Sequence, residues 1–109
     1  MTVSEMAKEL SLTAVSGADG ERNVSGVYVG DMLSWVMGRA QSGNVWITIM
    51  SNINIVAVAS LADVSCVVLA EGVVPDEGVC KTAEQKGVNI FTTEKTAYQI
   101  AKELADLSL

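Results

Sequence analysis

The residues best placed to do chemistry are Ser51, Asn52 and Asn54, then Gly72, then Thr92 and Thr93. Each group follows a short apolar run and precedes a stretch with helical character. In an open parallel sheet, such loops gather at the carboxyl ends of the strands, beside helix N-termini. Their side chains, with Lys95, offer hydrogen bonds but no strong nucleophile or base, which suits binding better than catalysis. The amides of these loops suit an anion or a nucleotide. A second reading stands beside this one: Asn52 or Asn54, and Thr92 or Thr93, act only as helix caps, each worth about 1 kcal/mol.

The wider inventory argues against an enzyme. Histidine is absent, which removes the commonest general base and the commonest metal ligand. No Ser-His-Asp or Cys-His device can be assembled within one chain. Two separated cysteines make no zinc site. Cys66 lies in the apolar run Val64–Leu69 and reads as a buried, reduced thiol; Cys80 falls on a helix, and nothing in the sequence supports a disulfide between them. Asp31, Asp63, Glu71, Asp76 and Glu77 read mostly as caps or solvated helix starts. Neither a Walker loop nor the dinucleotide-binding glycine pattern occurs. The expectation is no catalytic residue, no metal and no cofactor.

A net charge of −6 and a pI near 4.4 disfavour nucleic acid, which is held through Lys and Arg, and also anionic membranes. The acidic, amphipathic start Met1–Leu10 is not a signal peptide, and the apolar stretch Ile55–Ala62 is too short to span a bilayer. A cytoplasmic location is expected. Charged residues make up only 18% of the chain and apolar ones 50%. That balance fits either a partner-covered surface or a dense core rich in valine and alanine. Met32 and Trp35 are the candidate interface, an apolar edge on a helix whose better-defined face is Leu33, Val36 and Met37; burial of Trp35 in the core is the alternative.

These groups need elements to hold them. Thr2-Val3-Ser4-Glu5 reads as a capping box opening a helix over residues 1–11. Leu12–Val15 and Val24–Val29 suit strands, with a polar, glycine-rich loop over 17–23. Gly30-Asp31 offers an N-cap for the next helix, which Gly38 or Gly43 ends. Val45–Ile49 is the strongest strand, with Trp46 at its centre. Asn52–Asn54 can cap a helix to about Leu61, although its all-apolar interior also allows a strand. Val64–Leu69 reads as a buried strand. Pro75 is placed in a helix's first turn, with Asp76 and Glu77 at its positive end and Gly87 closing it. Val88–Phe91 is a strand, and Thr92-Thr93 introduces the last helix. The alternation from Trp46 onward predicts an α/β fold, a single layered domain over 1–109 with a largely parallel central sheet flanked by helices.

Taken together, Gly26–Ser34, Val45–Ile49, Asn54–Leu61, Gly72–Glu77 and Gly87–Thr93 resemble stand-alone DRTGG-domain proteins, over roughly Leu12 to Leu107. The family occurs beside CBS domains in some pyrophosphatases and is related to the N-terminal domain of HPr kinase/phosphorylase. The resemblance implies a regulatory or dimerising role, with the chemistry done by another domain. HPr kinase activity is not expected, because the kinase's P-loop domain has no counterpart here. Where the family has Asp-Arg, this chain reads Ser51-Asn52-Ile53-Asn54; where it has Thr-Gly-Gly, this chain reads Ala70-Glu71-Gly72. The expected function is therefore a non-catalytic regulatory and protein-interaction module forming a homodimer, the alternative being a sensor of a nucleotide or other anion at the strand-end loops.

Overall fold

The computed structural model describes all residues, 1–109. Ten elements follow one another: α1 (Val3–Glu9), β1 (Thr13–Ser16), β2 (Val27–Val29), α2 (Leu33–Arg39), β3 (Val45–Thr48), α3 (Asn54–Ala62), β4 (Cys66–Leu69), α4 (Val79–Lys86), β5 (Ile90–Thr92) and α5 (Ala97–Asp106). The five strands form one sheet in the order β1-β5-β4-β3-β2. Pairs β2–β3, β3–β4 and β4–β5 are parallel, while β1 runs antiparallel to β5. The expected largely parallel α/β sheet is present, with one antiparallel edge added.

From β2 to β5 each strand is laid beside the one before it, always in the same direction. Right-handed crossovers wound one way put all their helices on one face. Accordingly α2, α3 and α4 cover one side, where Val36, Ile55, Val56, Val79 and Ala83 pack against Trp46, Val67, Leu69 and Ile90. The other side would be bare without the terminal helices. There Val3, Met6 and Leu10 of α1 and its end, with Ile100 and Leu104 of α5, pack on Val45, Ile47, Cys66, Val68 and Phe91. Strand side chains alternate between faces, so strands buried on both sides read as unbroken apolar runs. That is why β3 and β4 were the plainest strands in the sequence.

Several boundaries differ from expectation. The second strand starts at Val27, not Val24, whose amide bonds instead to Met1 O at 3.0 Å. Pro75, Asp76 and Glu77 precede α4 instead of entering it: Gly78, at φ +88°, is the N-cap, and the Asp76 amide donates to Ser51 O at 2.9 Å. Asp31 does not cap α2. Its Oδ1 accepts from Thr48 Oγ1 at 2.8 Å and from the Ile49 amide at 3.0 Å, leaving Met32 as N-cap without a side-chain bond. Gly38 lies inside α2, which ends at Arg39 with Ala40 as its C-cap, and Met37 is exposed instead of sharing the inner face of Val36. Ile55–Ala59 is helical. The Thr2–Glu5 capping box is present, and its bonds from Thr2 hold the Glu5 carboxyl below its ordinary pKa. Gly87 closes α4 in the left-handed region.

Candidate functional site

The three loops lie along the carboxyl rim of the parallel strands, but only two of them share a cleft. A hollow of about 220 Å³ is lined by Gly72–Pro75, by Thr92, Thr93 and Glu94, and by Thr13 and Val15 of the edge strand. The antiparallel direction of β1 brings Thr13 opposite Thr92. Gly72 has a specific reason to be glycine: it sits at φ +73°, and a Cβ there would stand 2.6 Å from Glu94 Oε2. Ser51, Asn52 and Asn54 do not line this cleft. Ser51 instead straps the neighbouring loop, its Oγ donating to Asp76 Oδ1 at 2.9 Å.

Most of the amides and charges that would attract an anion are engaged within the chain. The Glu71 amide donates to Lys95 O at 2.8 Å, that of Gly72 to Thr93 O at 2.9 Å, and that of Thr93 to Leu69 O at 3.0 Å. Asn52 Oδ1 accepts from the Asn54 amide at 2.9 Å, so Asn52 serves the start of α3 locally. Lys95 Nζ is held at 3.0 Å by both Glu103 Oε1 and Leu10 O. Glu94 adds a carboxylate to the cleft wall. The arrangement can accept and donate hydrogen bonds to a small polar group, and its local charge is unfavourable to a polyanion.

The candidate interface residues have a different environment. Val36 is fully buried beneath α2, while Met32 (58% exposed) and Trp35 (51%) project from the helix. The Arg39 guanidinium lies 3.7 Å from the Trp35 ring centroid, one helical turn along. Trp46, as expected for the central strand, is fully buried, and its Nε1 donates to Gly30 O at 2.9 Å. The two tryptophans thus have opposite fates, set by which side of each element faces the sheet.

Some structurally decisive residues carry signals that local patterns hide. Asn89, buried at the start of β5, accepts at Oδ1 from the Ala18 and Asp19 amides (both 2.9 Å) and donates from Nδ2 to Asp19 O (2.9 Å) and Ser65 O (3.1 Å). Its partners lie up to 71 positions away, so no local pattern reveals it. Thr96, not Thr92 or Thr93, caps α5 through a reciprocal box with Gln99; the Thr-x-x-Gln spacing is the signal that could have found it. Both cysteines are free. Burial pushes the Cys66 thiol up to about 12, while desolvation and the nearby Glu84 raise that of the exposed Cys80. At the far end of the molecule, the Ser42 hydroxyl and Arg22 hold the Asp63 carboxyl below its ordinary range.

No helix is long and apolar enough to cross a membrane. A search among curated proteins returns no match. Among solved structures, one match is the CBS and DRTGG regulatory region of Clostridium perfringens pyrophosphatase, complexed with its activator diadenosine tetraphosphate. The TM-score is 0.70 at 16% identity, over 94% of this chain, which spans only 45% of that one. At that identity the likeness establishes the shared fold. The family model for the DRTGG domain matches residues 5–107. With nearly the whole length matched and the fold in agreement, the chain belongs to the DRTGG domain family.

Proposed function

We propose that this chain is a non-catalytic regulatory module that works by self-association, with α2 as its contact surface and a second protein as the target of the resulting homodimer. The observation that carries the reading is the contrast within α2: a fully buried Val36 on one side, and Met32 and Trp35 more than half exposed on the other. Exposed aromatic and methionine side chains are enriched at protein contacts. Family membership supports the regulatory part, since a DRTGG domain forms part of the regulatory region of the C. perfringens pyrophosphatase. Light scattering on the eluting protein tests the reading: a mass rising to twice that of the chain with concentration supports it, and one chain's mass throughout overturns it.

A second reading draws on the activator in the pyrophosphatase complex. The cleft at Gly72, Thr92 and Thr93, with Ser51, Asn52 and Asn54 on the adjoining loop, would then hold a nucleotide. The engaged amides and Glu94 favour contact with a base or sugar over contact with phosphates. A thermal-shift series with diadenosine tetraphosphate, adenosine and inorganic phosphate tests it. Native-state binding adds about 2.7 kcal/mol at a hundredfold excess over Kd, and no shift with any of the three removes this reading.

A further inference from the structure

We propose that the cleft beside Gly72 is a binding site for a primary ammonium group carried on a short aliphatic stem, with Glu94 as its counter-ion. This is independent of self-association, and it sets a cation against a nucleotide as the occupant of one cleft.

Charge gives the first argument. Glu94 is the only charged side chain lining the cleft, and it enters no salt bridge. The neighbouring cation, Lys95, is committed elsewhere, its Nζ held at 3.0 Å by both Leu10 O and Glu103 Oε1. The facing loop makes room for the carboxylate. A Cβ on Gly72 would stand 2.6 Å from Glu94 Oε2, so the space of the missing side chain is taken by that oxygen. The net charge of −6 draws cations towards the molecule as a whole, and here no protein cation competes for the site.

The neutral groups fit the rest of such a ligand. Thr13 and Thr92 are opposed across the β1–β5 pairing, and both line the cleft. Opposed residues of an antiparallel pair project to the same side, about 5 Å apart. Their hydroxyls have no partner in the chain, unlike that of Thr93, which accepts from the Lys95 amide at 3.2 Å. An ammonium carries three N–H donors, and the carboxylate with two free hydroxyls supplies an acceptor for each. Val73, Val74 and Pro75 form an aliphatic wall, with Val74 78% exposed. A methylene stem is stabilised along such a surface while its charged end stays hydrogen-bonded. No aromatic ring lines the cleft, so a nucleobase has nothing there to stack on.

The test is a titration of the isotope-labelled chain followed by amide chemical shifts. The probes are pentylamine, its neutral counterpart pentanol, the capped amino acid Nα-acetyl-lysine amide, and adenosine. Pentylamine is expected to shift the amides of Gly72, Val74 and Glu94, and pentanol to bind at least about tenfold more weakly. Glu94→Gln should weaken pentylamine by the same factor while the rest of the spectrum stays in place, and Thr13→Val should weaken it less. The capped lysine separates two sources of the same chemistry. Binding as tight as that of pentylamine identifies a lysine side chain of a partner protein, and its exclusion identifies a free amine; either supports the site. Pentanol binding as tightly as pentylamine, or pentylamine affinity that survives Glu94→Gln, overturns the proposal. Shifts with adenosine and none with pentylamine overturn it in favour of a nucleoside, and no shift with any probe overturns both. Self-association stands or falls separately, on the mass of the eluting protein.

Discussion

The sheet has two edges, and the chain treats them differently. At the β1 edge several side chains tie the strand and the loop after it to the rest of the chain. The irregularity between Ala14 and Ser16 is repaired by Ser16 Oγ, which donates to Val88 O at 2.7 Å and accepts from the Ile90 amide at 3.1 Å. The Val15 carbonyl receives the Cys80 thiol at 2.9 Å, and Asn89 pins the loop that leaves the strand. At the β2 edge the ties run only inward, through Trp46 to Gly30 and through Asp31 to Thr48 and Ile49. Beyond β2 there is no further strand, and the helix that follows turns Met32 and Trp35 outward. Unprotected edges invite pairing, and natural sheets usually block them.

This contrast can be broken deliberately. The largest effect is expected from Asn89→Ala, which leaves two amides and two carbonyls without their partner; a loss of about 3 kcal/mol should appear in denaturant unfolding. Hydrogen exchange should then rise in residues 17–23 and β1 while β2 keeps its protection. Next comes Asp31→Ala, expected to cost about 1–2 kcal/mol and to raise exchange in β2 and α2 without disturbing β1. If either change loosens both edges alike, the edges are not independently held. The smallest effect belongs to Cys80→Ala, within about 0.5 kcal/mol because the thiol is exposed and a weak donor. A much larger loss would mean that the thiol is essential to closing the β1 edge.

The sequence was most informative where the cause of structure is local. Thr2 and Glu5 specify a capping box across three residues, Gly87 supplies the left-handed stop of α4, and the apolar runs Val45–Ile49 and Val64–Leu69 mark strands buried on both faces. It was least informative where distant partners compete for a residue. Asp31 has the type and position of an N-cap, yet Thr48 and Ile49 take its carboxylate. Pro75–Glu77 look like a helix start, but Ser51 holds Asp76 in a turn and the helix waits for Gly78. The direction of β1 depends on pairing with a strand some 75 residues away, as Ala14 opposite Phe91 shows. For the same reason the rim loops were legible as neighbours, while the cleft omits Ser51, Asn52 and Asn54 and includes Thr13 and Val15.

The two tryptophans provide an internal comparison for the proposed self-association through α2. Trp46 is sealed in the core and Trp35 is half exposed, so acrylamide quenching distinguishes them in one sample. From dilute to concentrated protein, the quenchable fraction belonging to Trp35 is expected to shrink as dimers form, while the unquenched signal of Trp46 stays constant. A Trp35 that remains equally quenchable at every concentration would contradict it.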